Sequence, residues 1–186
     1  MTKVEQAFEA IPRINFLPAE VAPEANFDAP LPIGYGQTNS QPTTVLMMLE
    51  WLDVQPGNNI LDVGSGSGWT TALLAYLTGP AGKVIAVEKV PELVEFGSSN
   101  CHKLGIKNVE FHQAGNKFGY EQKAPYDRIL ASASASKMPQ ELITQLKPGG
   151  RLVVPVKYSV FVVTKDKNGK VGQTEYPGFA FVPLIG

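Results

Sequence analysis

The sequence predicts a doubly wound α/β fold: a mostly parallel, seven-stranded sheet with helices on its faces and an antiparallel strand near its C-terminal end. Three observations carry this. Between residues 59 and 156, short apolar runs alternate five times with loop or helical segments, the pattern of a parallel sheet. The first apolar run, Asn59–Val63, leads through Gly64-Ser65-Gly66-Ser67-Gly68 straight into a helical stretch. After Val156 the helices stop, and Tyr158–Thr164 and Phe179–Leu184 are β-rich runs with no helix between them.

Taken in order, Lys3–Ala10 reads as one or two helical turns with Val4, Ala7 and Phe8 on one side, stopped by Pro12. Prolines at 12, 18, 23, 30, 32 and 42 then argue for extended, ordered coil. Its apolar residues, among them Phe16, Leu17, Leu31 and Ile33, predict that it packs as a small N-terminal lobe. Thr44–Leu52 is the next helix, with Ser40 or Thr43 as its cap. Trp69–Leu77 follows the glycine turn, Lys83–Val87 is the second strand, and Pro91 opens a helix that closes near Leu104 and Gly105. Val109–Ala114 and Tyr126–Ala131 are strands separated by a short polar loop; a helix spans Met138–Leu146; Arg151–Val156 is the fifth strand. Lys165–Lys170 is a charged hairpin tip. The whole is expected to form one domain, with a lobe and substrate loop at 1–42 and a cofactor-binding core at 43–186.

In such sheets a ligand sits beyond the carboxyl ends of the strands, where the strand order reverses. The glycine turn, Glu88, Asn116 and the serine-rich turn Ser132–Ser136 all fall there. The glycines at 64, 66 and 68 give G-x-G-x-G, not the G-x-G-x-x-G of dinucleotide sites. Asp62, two residues earlier, would repel a pyrophosphate; it suits a ligand whose nearest part is cationic, such as S-adenosylmethionine with its ammonium and sulfonium. Glu88 ends the second strand at the distance where an acid reaches ribose hydroxyls. The candidate cofactor-binding residues are therefore Asp62, Gly64, Ser65, Gly66, Gly68, Glu88 and Asn116.

Charge and composition narrow the class. A net charge of −1 leaves no global field for nucleic acid phosphates. One cysteine, Cys101, allows no internal disulfide and no thiolate metal cluster, so no metal is expected. The N-terminus lacks an apolar signal core and no run reaches membrane-spanning length, which predicts a cytoplasmic protein without a membrane partner. A monomer is expected.

Several stretches together resemble the protein-L-isoaspartate (D-aspartate) O-methyltransferase family: Leu31–Ser40, the Asp62–Gly68 turn, Ala124–Ile129, Gln145–Val156 and Phe181–Gly186, in that order along the chain. The resemblance implies a Rossmann-like fold of the S-adenosylmethionine-dependent methyltransferase type. It also implies methyl transfer from S-adenosyl-L-methionine to the free α-carboxyl of L-isoaspartyl residues in damaged proteins, a repair reaction whose partners are isoaspartyl peptides and proteins. It maps the family's active-site serine onto Ser40, with the Thr38 hydroxyl beside it orienting the acceptor oxygen. The chain departs from the family where Asn116 stands in place of the aspartate that accepts from the adenine amino group, where Asn39 replaces an apolar residue, where Ser136 replaces a proline, and in a shorter N-terminal helical region.

Two other classes stay open on the sequence. One is a methyltransferase of the same fold with a different acceptor. The other is a non-catalytic module that binds the cofactor or a protein partner. A nicotinamide oxidoreductase is disfavoured by Asp62 and by the glycine spacing.

Overall fold

The computed structural model describes residues 1–184. Ile185 and Gly186, the end of the C-terminal motif quoted above, lie outside the described residues. Helix α1 (Lys3–Ala10) begins with a reciprocal cap: Thr2 Oγ1 accepts from Glu5 N–H and Glu5 Oε2 accepts from Thr2 N–H. Two short 3₁₀ turns, Arg13–Phe16 and Ala22–Glu24, follow. The expected coil then contains a hairpin, β1 (Leu31–Gly34) with β2 (Gln37–Asn39), turned through Tyr35 at positive φ.

Helix α2 (Pro42–Leu52) has Pro42 at its first position, but neither Ser40 nor Thr43 caps it with a side chain. Asp28, fourteen residues before, does that work: its carboxylate accepts from Thr43 N–H (2.9 Å), Thr43 Oγ1 (2.8 Å) and Gln41 Nε2 (3.0 Å). These bonds hold the Asp28 carboxyl below its ordinary range.

The core is β3 (Asn59–Val63), α3 (Trp69–Thr78), β4 (Lys83–Glu88), α4 (Pro91–Lys103), β5 (Val109–Gln113), β6 (Tyr126–Ala131), α5 (Gln140–Thr144), β7 (Leu146–Val156), β8 (Ser159–Lys165) and β9 (Val171–Pro177). The seven strands run in the order β5-β4-β3-β6-β7-β8-β9. The first five are parallel; β8 is antiparallel to β7, and β9 to β8. Both faces of the parallel part are covered, which is why its strands read as near-continuous apolar runs. Ile60, Val84, Leu130 and Val153 pack with α1, α2 and α3 on one face. Leu61, Ile85, Ile129 and Leu152 pack with α5 on the other. A third cluster, Leu17, Ala25, Leu31, Ile33 and Leu93, seats the N-terminal lobe on α4.

Three element boundaries differ from the sequence expectation. The helix expected over Met138–Leu146 is confined to Gln140–Thr144, and β7 starts at Leu146, running through Lys147-Pro148-Gly149-Gly150 ahead of the strand expected from Arg151. The last strand is Val171–Pro177, not Phe179–Leu184. A two-residue-period polar run can serve as an edge strand because one side of it meets water, and β9 is exposed along nearly its whole length. The apolar run that follows is coil. Phe179 packs edge-on to Trp51 at 5.9 Å, and the chain then crosses to the serine-rich turn, where Ser134 N–H donates to Val182 O and Leu184 N–H to Ser134 O, both at 2.8 Å. The charged tip is a hairpin turn as expected, closed by Asp166 N–H to Lys170 O (2.9 Å).

Candidate active site

The strand order reverses at β3: β4 and β5 lie to one side of it, β6 and β7 to the other. A cleft opens at the carboxyl ends there, of about 840 Å³ including its mouth, within the size range of small-molecule sites. Its floor is Val63–Ser67 with Trp69 and Thr70; one wall is Val87–Val90 with Ala114, Gly115 and Lys117–Gly119; the other is Ser132 and Ala133 with Val182–Leu184. The loop Gln37–Ser40 covers one side.

The glycine turn is fixed from beneath. Gly64 N–H (2.8 Å) and Ser65 N–H (3.1 Å) both donate to Val87 O, and Gly66 N–H donates to Glu88 Oε2 (2.9 Å). Gly68 has φ +86°, and a Cβ there would lie 2.9 Å from Gly97 O on α4. Backbone therefore meets backbone at that point, which only glycine at both positions allows.

Glu88 is buried, and its carboxylate accepts from three backbone N–H groups: Gly66, Lys89 (2.7 Å) and Val90 (3.1 Å). A carboxylate has about four acceptor positions, so one remains for a hydroxyl in the cleft. Ser65 Oγ is buried at the floor with no partner among the described residues. A buried hydroxyl without a partner is costly unless a polar ligand group completes it.

Asp62 lies one layer deeper than the sequence reading placed it. Its side chain is fully buried, points to α3 and accepts from Thr71 Oγ1 at 2.6 Å; its other oxygen, Oδ1, has no partner among the described residues, and the residue does not line the cleft. Burial pushes its carboxyl up to about 7; the Thr71 bond opposes this and the Glu88 charge adds to it. Gly64, Ser65, Gly66, Glu88, Thr38 and Ser40 do line the cleft; Gly68 supports the turn from behind. Asn116 is exposed between lining residues Gly115 and Lys117, with its Oδ1 3.5 Å from Lys89 Nζ, and its own side chain is outside the lining. The Ser65 hydroxyl and the open position on the Glu88 carboxylate lie at the cleft and fit the hydroxyls of a ribose; the acidic Glu88, with Asp62 behind the floor, favours a cationic ligand group there and would fit a pyrophosphate poorly.

Comparison with known proteins decides among the methyl-transfer and dinucleotide possibilities. The family profile of protein-L-isoaspartate(D-aspartate) O-methyltransferase matches residues 1–186. The chain belongs to this family. Proteins named protein-L-isoaspartate O-methyltransferase from Methanopyrus kandleri and Archaeoglobus fulgidus (the latter numbered 2) are 43% and 44% identical to it. The alignments cover 99% of this chain and 84% and 85% of those proteins. A solved protein-L-isoaspartate O-methyltransferase superposes with a TM-score of 0.90 at 27% identity over 100% of this chain, which spans 62% of that one. A Plasmodium falciparum structure of the same description, in complex with S-adenosyl-L-homocysteine, has a TM-score of 0.86 at 26% identity, covering 99% of this chain and 90% of that one.

Within this isoaspartate methyltransferase family member, two functional-site residues escaped the sequence reading. Arg13 is buried, and its guanidinium reaches the carbonyls of Phe27 (3.0 Å), Ala29 (2.8 Å), Asn39 (3.0 Å) and Ser40 (2.9 Å) and Asn39 Oδ1 (2.8 Å). It also lies 5.5 Å from the centre of the Trp69 ring. Asn39, noted only as a departure, is the buried partner that joins Arg13 to the glycine turn. No signal in the sequence marked Arg13, because all but one of its acceptors are backbone carbonyls, which every residue carries.

Proposed function

We propose that this chain methylates the free α-carboxyl of L-isoaspartyl residues in damaged proteins, using S-adenosyl-L-methionine, with the cofactor in the cleft and the acceptor at the Thr38–Ser40 loop. The observation that carries this is the juxtaposition of that loop with the glycine turn across one cleft. When bound, the cofactor supplies a methyl group activated by its positively charged sulfur. The residues expected to hold it are Gly64, Ser65 and Gly66 at the floor, Glu88 toward the ribose, Asp62 through space toward the ammonium, and Asn116 at the adenine rim, with Gly68 keeping the turn in place.

The chain has little chemistry to perform. An α-carboxyl ionises near pH ~3.5, so the acceptor oxygen is already a nucleophile at neutral pH and needs no general base. That oxygen bonds to the methyl carbon as the carbon–sulfur bond breaks, and no proton moves. The task of Thr38 and Ser40 is to donate hydrogen bonds to the carboxylate and aim one oxygen along the line from carbon to sulfur. We read residues 1–42 as the acceptor-binding lobe of the same domain as the cofactor core at 43–186. We also read the protein as a cytoplasmic monomer whose partners are isoaspartyl polypeptides, with no nucleic acid or membrane. Among the described residues no helix is long and apolar enough to cross a membrane.

The deciding experiment is transfer of labelled methyl to an isoaspartyl peptide, with the matching aspartyl peptide as control. Label on the isoaspartyl peptide alone is the expected result. Label on neither, with cofactor binding intact, would move the assignment to another acceptor. Two variants probe the division of labour. Ser40→Ala is expected to lower turnover about tenfold through lost alignment while S-adenosylhomocysteine affinity in calorimetry stays within about twofold; unchanged turnover removes Ser40 from the site. Asn116→Asp is expected to tighten cofactor binding a few-fold, because a charged acceptor makes a stronger bond than an amide oxygen. No gain would place the adenine elsewhere.

A further inference from the structure

We propose that Asn39 is a positioning residue that couples the cofactor turn to the acceptor loop through Ser67. This rests on the assignment of cleft and loop made above. Asn39 is 5% exposed and Ser67 2%. Arg13 Nε can only donate, so the oxygen of the Asn39 amide must face it, at 2.8 Å. The amide nitrogen then faces Ser67 and donates to its Oγ at 3.0 Å. Ser67 Oγ is thereby an acceptor in this bond, and its own proton is released for another partner. Ser67 lines the cleft, so that proton is available to an acceptor atom of a bound ligand. On its other side Ser67 is anchored, its carbonyl accepting from Asn100 Nδ2 on α4 at 3.0 Å.

The result is a buried chain of hydrogen bonds from α4, through the glycine turn, to the residue between Thr38 and Ser40, and on to Arg13 in the lobe. Hydrogen bonds in series at low dielectric polarise one another. A ligand that takes the Ser67 proton strengthens the Asn39 bond and stiffens the loop that meets the acceptor carboxylate. An apolar residue at position 39 could pack there, but it would leave Arg13 Nε and Ser67 Oγ to find other partners and would break the chain. In this protein the loop therefore responds to the filling of the cofactor cleft.

The test uses the full chain with Asn39→Leu, which keeps the branching at Cγ and removes the bonding. Asn39→Asp separates the two halves of the link: it still accepts from Arg13 and keeps the loop tied to the turn, but the Ser67 hydroxyl must rotate to donate to it and is no longer offered to the cleft. Hydrogen exchange of the backbone amides at 37–41 is followed with and without S-adenosylhomocysteine. At saturation, ligand is expected to slow exchange there in the wild type and in neither variant. In steady-state methylation Asn39→Leu should raise KM for the isoaspartyl peptide about tenfold with S-adenosylhomocysteine affinity changed less than about threefold, and Asn39→Asp should recover most of the loss. Ser67→Ala cuts the same chain from the other side and stands in should Asn39→Leu fail to fold. Equal slowing of exchange in wild type and Asn39→Leu, or wild-type KM in that variant, would overturn the proposal. Ligand-dependent protection in a wild type that methylates no isoaspartyl peptide would sustain the coupling and overturn the acceptor instead.

Discussion

Replacing Arg13 by methionine is expected to lower the unfolding free energy by about 3–5 kcal/mol, the scale of leaving two or three carbonyls without the charged donor that satisfied them. The side chain is 6% exposed, and its cation is answered by backbone and amide oxygens; Asp28 contributes only through space. Burial lowers the guanidinium pKa, yet an arginine in a protein stays charged. Its planar fork is what lets one residue satisfy carbonyls from two separate segments, 25–29 and 39–40. Methionine fills the space and donates nothing. The Asn39 carbonyl is then left buried, and the Phe27, Ala29 and Ser40 carbonyls part-buried, without this donor, at roughly 1–3 kcal/mol for each one that finds no water.

For a chain of this length each kcal/mol shifts the melting midpoint by about 2–4 °C, so a loss on the order of 10 °C is expected by circular dichroism. Arg13→Lys should recover little of it, because an ammonium has three donors and no fork. Methylation should fall further than stability accounts for, since the Thr38–Ser40 loop hangs on the same bonds. A midpoint within about 3 °C of wild type would mean that the lobe carbonyls are satisfied by water and that the arginine is not what holds the loop.

Arg13 also marks where sequence reasoning stopped. The β3–α3 turn was legible because each part has a local cause: apolar residues on both faces of a buried strand, glycines where the backbone needs positive φ, and acids at strand ends. The sheet followed from repetition of that unit. What could not be read were contacts between side chains and distant backbone. Asp28 caps α2 across a loop, where a local cap was expected. Asn39 was visible only as a departure from a family pattern, not as a link. The C-terminal runs were misassigned for a related reason. Residues 171–177 are polar because β9 is an edge strand, whereas the apolar segment after it packs over the cleft and Trp51 and pairs only through a single bridge between Pro183 and Ser134. Hydrophobicity reports burial, and it does not say whether a strand or a coil is buried. Asp62 was found, but its distance from the cleft was not, because alternation along β3 gives the face of a side chain and not its depth.

That depth has a measurable consequence. The wild-type protein is expected to lose stability relative to Asp62→Asn as pH rises from about 4 to 7. The unfolded chain gives up the Asp62 proton near its ordinary value of 3.8, while the folded protein keeps it to about 7. Between those values the native state binds more protons than the unfolded state, so the stability contributed by this group falls with rising pH and levels off above the folded value. At ~1.4 kcal/mol per pH unit the full difference is on the order of a few kcal/mol. Asparagine carries no such proton. Subtracting the two denaturation profiles cancels every other carboxylate, and the difference should grow in favour of Asp62→Asn across this window. Parallel profiles would mean that Asp62 ionises like a surface acid and is not desolvated. The same proton bears on the cofactor. A cation in the cleft favours the ionised carboxylate, so binding of S-adenosylhomocysteine, which keeps the ammonium, should expel the proton at pH 6 and not at pH 8. Its affinity for the wild type should therefore rise over that range, measured against Asp62→Asn, whose side chain has no charge to offer at any pH. An aspartate that weakens the empty fold and strengthens the filled one is the arrangement expected where a buried group is kept for its ligand.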